Sequence, residues 1–208
     1  RFRGAVQPCL IPSDCFFDVG CVTISNVADA IHRANDVLIG AVTDLVDGGQ
    51  RVTPRELLES SASFSRSEEV VEVSLASKQA DAVSRANAWQ LVIDNLRTLT
   101  VGGHLIAGWS SDRPPVSALV PALGPPLLED AHATTRAWAR TADIVDGVEP
   151  GPAPAQTPFI DTARTVAAQV DLSQAPVADR VVGAVWTHGW IHMAYNAAIS
   201  AQVPQNRN

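Results

Sequence analysis

The segment that decides the fold is residues 26–49, NVADAIHRANDVLIGAVTDLVDGG, in which apolar residues recur at alternating intervals of four and three. The recurring positions are Val27, Ile31, Ala34, Leu38, Ala41 and Leu45. Because an α-helix has about 3.6 residues per turn, this spacing places all of these side chains on one face. Asn26 is suited to cap the start of the helix, and the pair Gly48-Gly49 is suited to end it. We therefore expect an amphipathic helix that turns this face toward a core.

Two capping patterns predict the helices that follow. Residues 53–56, Thr-Pro-Arg-Glu, combine an N-cap residue, a proline at the first helical position and a glutamate that can bond back to the cap. They predict a short helix that ends near Ser60. Residues 65–68 form a second capping box and predict a long helix that runs to the glycine pair at 102–103. Apolar and polar residues alternate over 71–75, so a short strand there is the alternative.

Prolines divide the second half of the chain. Five of them lie between residues 110 and 126, which predicts a loop with at most one helical turn. An amphipathic helix follows over residues 127–145, and residues 149–157 form a stiff, extended, proline-rich linker. Two further helices are expected to begin at Pro158 and Pro176. The last of these is apolar almost all round, which is typical of a helix at the centre of a bundle.

The composition predicts one domain. The chain has 208 residues, of which 46% are apolar and 18% are charged, and its mean hydropathy is +0.08. These values are typical of a packed globule. The roughly 50 residues after the linker contain too little apolar surface to fold alone. We therefore expect a single all-α domain over residues 1–208, a helical bundle of about five main helices with proline-rich connecting loops and an irregular N-terminal segment over residues 1–24.

Charge and hydropathy limit the partners. The net charge is −7 and the 15 basic residues are scattered, so no basic stripe is available to neutralise a phosphate backbone. We expect no nucleic-acid binding. The longest stretch without a charged residue, residues 181–203, contains two histidines, an asparagine and a glutamine. These side chains favour a core helix over a membrane span, so we expect no membrane association.

Three cysteines, Cys9, Cys15 and Cys21, bear on the cellular compartment. No pair has the CxxC spacing of a zinc or redox site, and any single disulfide leaves one cysteine over. Free thiols in a reducing cytoplasm are the simplest interpretation, with one local disulfide or a metal site as alternatives. No charged segment followed by an apolar run opens the sequence, so we expect no signal peptide.

Two histidines of the last helix are the best candidates for a functional site. His188 and His192 are four residues apart, so both imidazoles lie on one face of a helix and could bind one divalent metal ion. They follow the apolar stripe of that helix and should point into the bundle. A hydrogen-bonded pair of core histidines is the alternative interpretation.

A metal site needs at least a third ligand. Glu129 and His132 form an ExxH pair in the long helix over 127–145 and are the predicted additional ligands. His32 with Asp36, and His104, are further possibilities. Glu129 also has a simpler explanation, because the helix dipole favours an acid in the first turn.

No motif for nucleophilic catalysis, phosphate binding or dinucleotide binding occurs in the chain, so no catalytic residue can be named. We expect a helical-bundle protein that works through protein contacts, as an oligomer or an adaptor in an assembly, without a cofactor. The alternative is a metal-dependent enzyme or cofactor-binding bundle built around His188 and His192. A ligand sensor with an apolar pocket among the tryptophans is a third possibility. Trp109, in a loop, is either a surface anchor for a partner or a lid over the core.

Overall fold

The computed structural model describes residues 19–76, 80–111, 113–145 and 151–202, and within these ranges it contains helices and no strand. In chain order the helices are α1 (Val19–Asp47), α2 (Pro54–Leu75), α3 (Ala80–Ser110), α4 (Val116–Leu119), α5 (Gly124–Val145), α6 (Phe159–Gln169) and α7 (Ala175–Ala201). A 3₁₀ turn, Pro121–Leu123, joins α4 to α5. The predicted all-α bundle is confirmed. The described helices number seven rather than five, and five of them have 22 or more residues.

Four long helices form a ring around the core. α1 packs between α3 and α5, and α7 closes the ring by packing on both of them. α1 is antiparallel to α5, because Asn35 near its middle donates to the Thr135 carbonyl oxygen while Val46 at its end lies against Gly124. The largest side chains of the enclosed core are those of Trp138, Phe159, Ile31, Leu38, Leu45, Ile93, Leu96, Leu99, Ile106, Leu123 and Leu127, together with the buried Arg180.

α5 and α7 are parallel neighbours, and polar side chains of α5 donate to main-chain oxygens of α7. Trp138 Nε1 donates to the Ala194 carbonyl oxygen at 3.0 Å, and Thr141 Oγ1 lies 3.3 Å from the Ala198 carbonyl oxygen. Small alanines on α7 leave these oxygens accessible. Because the two helices point the same way, the chain between them must return along the bundle, and α6 lies on this return path.

α1 ends as predicted but begins earlier. Gly48 and Gly49 follow its last residue with φ of +81° and +123°, a region that residues with side chains disfavour, so the glycine pair ends the helix. At the other end the helix begins at Val19, so Asn26 lies inside it and is not its cap. No proline interrupts residues 19–25, and a continuous helix satisfies the N–H groups that Asn26 was expected to cap. The irregular segment is therefore wrong for residues 19–24. Cys9, Cys15 and the side chain of Cys21 lie outside the described part of the chain.

α2 is one continuous helix where two elements were expected. It begins with the predicted capping box, in which Glu56 N–H donates to Thr53 Oγ1 at 3.3 Å and Thr53 N–H donates to Glu56 Oε2 at 2.7 Å. The helix then continues past Ser60 and through residues 65–68 to Leu75. The early end, the second capping box and the alternative strand are all wrong.

The buried face of α2 explains this error, because it consists mainly of serines. Its buried residues are Ser60, Ser63, Ser67, Val71 and Ser74. A search for apolar periodicity does not detect such a face. Ser67 Oγ donates to the Phe64 carbonyl oxygen at 2.6 Å, and Ser63 Oγ donates to Asp29 on α1. The hydroxyls of Ser63 and Ser67 are thus satisfied, and the small size of serine allows α2 to pack closely on both α1 and α3.

The glycine pair at 102–103 lies inside α3 and does not end it. A Cβ at Gly102 would lie 3.3 Å from Trp190 Cε3 of α7, and one at Gly103 would lie 3.1 Å from Val37 Cγ1 of α1. Both glycines therefore allow close approach of a neighbouring helix. The expected loop over residues 110–126 contains more helix than predicted, because the 3₁₀ turn Pro121–Leu123 follows α4 and α5 already begins at Gly124.

α7 is a peripheral member of the ring and not a central helix. Its inner side is buried, whereas Val182, Trp186 and Met193 on its outer side are exposed. The apolar residues on the outer side of α7 are therefore not explained by burial within the described part of this chain. Within the described ranges, none of the helices combines the length and the hydropathy that a membrane crossing needs.

Candidate functional site

His188 and Asp130 form the centre of a buried polar cluster between α7 and α5. The Asp130 carboxylate is fully buried, and its Oδ2 lies 3.3 Å from His188 Nε2. The imidazole is itself buried, at 8% exposure. The parallel packing of α5 and α7 places the two residues at the same height along the bundle. Hydrogen bonds from Thr134 and Trp138 of α5 to carbonyl oxygens of α7, one and two turns further along, fix this register. His188 therefore points into the bundle, as the sequence predicted, whereas His192 is exposed and the same prediction is wrong for it.

Residues 154–158, here called the strap, run over this cluster in a non-helical conformation. Thr157 N–H donates to Asp130 Oδ1, and the Tyr195 hydroxyl donates to the Pro154 carbonyl oxygen. Gln156 Oε1 lies 2.7 Å from His192 Nδ1. The strap belongs to the predicted proline-rich linker. Side chains of α5 and α7 thus hold its second half against the bundle.

Aromatic contacts and burial set the protonation of His188. The ring of Phe159, the first residue of α6, stacks on the imidazole with centroids 4.4 Å apart and planes at 11°. Burial lowers the pKa of His188 below the ordinary histidine value, and Asp130 opposes this shift only in part. The neutral imidazole is therefore favoured, and it can donate Nε2–H toward the Asp130 carboxylate.

The two histidines of the predicted metal site share a helix face but do not converge on one point. Their ring centroids are 6.0 Å apart, and His188 Nε2 faces Asp130 whereas His192 Nδ1 faces Gln156. Among the described residues, no three His, Cys, Asp or Glu side chains are placed to hold a metal ion. The contacts of the cluster hold the strap against α5 and α7.

The other predicted ligands lie elsewhere. Glu129 and His132 are exposed on α5, on either side of the inward-pointing Asp130, and the structure does not bring them to the histidines of α7. His32 and Asp36 are exposed on α1.

His104 lines a groove of about 410 Å³ between α2 and α3, together with Phe64 and Arg97. Its Nε2 is buried without a hydrogen-bond partner in the described part of the chain, and burial lowers its pKa. The side chain stays neutral over a wider pH range for this reason, but nothing in the described ranges places it with a second ligand.

Asp130 is the residue that sequence reasoning misses. Its position beside Glu129 suggests only a first-turn acid favoured by the helix dipole. The sequence nevertheless contains a signal, since Leu127, Asp130, Thr134 and Trp138 are spaced by three, four and four residues. A buried carboxylate requires a partner, and here Thr157 N–H donates to Oδ1 while His188 Nε2 lies 3.3 Å from Oδ2.

A second candidate site is the outer surface of α3 and α7, which we call the α3/α7 face. It is defined by Val101, Leu105, Val182, Val185, Trp186 and Met193, which are between 38% and 66% exposed. These are six of the ten large apolar side chains that are exposed in the described ranges. No Asp, Glu, Lys or Arg occurs in residues 98–111 or 181–203. These two stretches therefore expose apolar side chains and no charged ones, although Glu68 and Arg97 lie near Val101 and Leu105 in the groove between α2 and α3.

A row of tryptophans joins the two helices of this face. The rings of Trp109 and Trp186 have centroids 5.9 Å apart, and those of Trp186 and Trp190 are 6.2 Å apart. Trp109 lies with its ring 4.4 Å from the guanidinium carbons of both Arg113 and Arg180. Two cations thus contact the aromatic row at its Trp109 end.

No protein-family model, curated protein or solved structure matches this chain.

Proposed function

We propose that this protein is a component of a larger assembly and that it binds another protein through the α3/α7 face. The observation that carries the proposal is the concentration of exposed apolar side chains on this face. Folded proteins rarely expose contiguous apolar patches larger than a few hundred Å², and such patches usually mark interaction sites.

The chemistry of the face supports binding to a protein. Tryptophan and methionine are enriched in the cores of protein interfaces and charged residues are depleted there. Trp186 is 39% exposed and Met193 is 45% exposed. α7 contains no charged residue after Arg180. The net charge of −7, by contrast, argues against a nucleic-acid partner. The reducing cytoplasm inferred from the three cysteines is the setting in this proposal.

A metal-dependent enzyme built around His188 and His192 is the weaker alternative. Its ligand set would need His192 to leave Gln156 and a further side chain to approach, because Glu129 and His132 are exposed on α5. Metal analysis of the purified chain, with a His188→Gln/His192→Gln variant as the control, tests this alternative directly. A stoichiometric divalent ion that is lost in the variant would favour it.

Photo-crosslinking tests the proposed function. Met193 is replaced by p-benzoylphenylalanine, and the control carries the same residue at Leu58, which is 71% exposed on α2. Irradiation of extract from cells that make the protein is expected to yield a crosslinked polypeptide from position 193 and none from position 58. If the two positions give the same products, or neither gives any, the α3/α7 face is not a binding surface.

A further inference from the structure

We infer that the occupant of the α3/α7 face is a second copy of this chain, bound in an antiparallel α7–α7 contact centred on Gly189. This inference rests on the proposed function and names its partner. It follows from three features of α7: an unexplained glycine, a side-chain order that complements itself, and the absence of charged residues after Arg180.

Gly189 lies in the middle of α7 on its exposed side, where nothing in the described part of the chain accounts for it. Apart from the local backbone of α7, no described atom lies within 4 Å of the position that its Cβ would take, as is also true of the exposed Gly108 in α3. A glycine inside a helix costs about 0.5–1 kcal/mol relative to alanine. Gly102, Gly103 and Gly183 in this protein each allow a neighbouring side chain or helix to approach. The close approach of a second helix gives Gly189 the same role.

The exposed stripe of α7 complements itself about this glycine. In an antiparallel pair of identical helices that cross at Gly189, residues at equal distances on either side of it face each other. Val185 then faces Met193 of the other copy, and Trp186 faces His192, which is also exposed. These pairs bring apolar and aromatic groups together, and each occurs twice because the contact is symmetric.

Charge and area are compatible with a dimer. Two chains of net charge −7 repel each other, but residues 181–201 of α7, which carry the proposed contact, contain no Asp, Glu, Lys or Arg. The exposed parts of its six large side chains amount to roughly several hundred Å² per copy. Two such faces approach the total of about 1,000 Å² that a specific interface needs.

Sedimentation equilibrium of the purified full chain tests the inference. The wild type is expected to dimerise in a concentration-dependent manner. Val185→Lys and Met193→Glu should each weaken the dimer at least about tenfold, because each buries an unpaired charge at two positions. An equimolar mixture of the two variants should recover most of the affinity. In the mixed dimer the lysine introduced at position 185 of one chain faces the glutamate introduced at position 193 of the other, while the second Val185–Met193 pair is native. Leu58→Lys and Val73→Glu on α2 are the matched controls and should leave the dimer unchanged.

Several results would overturn the inference. These are a wild type that stays monomeric, a dimer insensitive to both charge variants, and a mixture that dimerises no better than either variant alone. Circular dichroism checks that the variants fold, as expected for exposed positions. A monomeric wild type whose position 193 still crosslinks to a different polypeptide would refute the second copy but leave the proposed function intact. Loss of both signals would refute both.

Discussion

The ring of Trp109 occupies the space beside Gly183. A Cβ at Gly183 would lie 1.5 Å from Trp109 Cη2 and 2.2 Å from Cζ3, distances that no side chain can adopt. This contact joins the end of α3 to the start of α7 and presents Trp109 to Trp186. Trp109 is thus neither a free anchor nor part of a loop, since it is a half-buried residue of α3 packed on a neighbouring helix.

Gly183→Ala is expected to destabilise the protein by about 2 kcal/mol or more, because the new methyl group must displace an indole ring that two helices hold. Gly108→Ala is the matched control, since a Cβ at Gly108 meets nothing within 4 Å. That control should be neutral or stabilising by up to about 1 kcal/mol. Urea denaturation measures both variants, and equal effects would show that Trp109 does not rest on Gly183.

Asp130→Ala is expected to release the strap. The substitution removes the acceptor for Thr157 N–H and leaves a buried donor unpaired, which costs about 1–3 kcal/mol. Digestion with a protease of broad specificity should then cut residues 151–158 sooner than in the wild type. Asp143→Ala, at an exposed position of the same helix, is the control and should keep the wild-type cleavage pattern. An unchanged pattern in Asp130→Ala would mean that the carboxylate does not hold the strap.

The buried His188 and the half-buried His104 predict a loss of stability on acidification. Burial lowers the pKa of His188 and of His104, so the folded chain keeps both neutral where an unfolded histidine takes up a proton. The unfolded state binds more protons below about pH 6.5, and the free energy of unfolding therefore falls as the pH drops through that value. Each histidine adds at most about 1.4 kcal/mol per pH unit to this slope.

The urea midpoint between about pH 7.5 and 5.5 measures this slope. His188→Gln should reduce it, and the exposed His132→Gln should not. A slope in His188→Gln as steep as that of the wild type would contradict the account of His188.

The serine face of α2 predicts an unusual response to apolar substitution. Ser67 is fully buried between helices, so Ser67→Leu should destabilise the chain by about 1–3 kcal/mol through overpacking despite its added apolar surface. Ser65 is exposed in the middle of the same helix, and Ser65→Leu should change stability by less than about 0.5 kcal/mol. Thermal unfolding compares the pair. A costly Ser65→Leu would restore the capping role that the sequence suggested for Ser65.

The sequence predicts those parts of the fold in which one local signal dominates. The apolar stripe of residues 27–45, its glycine stop and the capping box at residues 53–56 are all legible, because each depends on neighbouring residues alone. The sequence does not predict the boundary between α2 and α3, because the buried face of α2 consists mainly of serines, with partners such as Asp29. In the sequence, the glycines at 102–103 look like the end of a helix. The contacts that explain them come from α1 and α7, which are distant in the chain.

The candidate sites, too, depend on contacts between distant parts of the chain, which local sequence signals do not predict. The spacing of His188 and His192 correctly predicts one helix face, but their partners Asp130 and Gln156 depend on the register of α5 and on the path of the strap. The sequence does not predict the α3/α7 face, because apolar residues occur almost evenly around α7. Only the packing of its neighbours decides which of them remain exposed.

Oxidation of Met193, the only methionine of the chain, reports whether another protein covers the α3/α7 face. Dilute hydrogen peroxide converts an accessible methionine to its sulfoxide, and Met193 is 45% exposed on the α3/α7 face. The rate is compared between the highly diluted purified chain and gently lysed cells that make it, with a Leu58→Met variant as an internal reference on α2. Met193 is expected to oxidise severalfold more slowly in the lysate than in the diluted sample. The methionine introduced at position 58 should oxidise equally fast in both. Equal oxidation of Met193 in both samples would contradict the proposal that this face binds a protein.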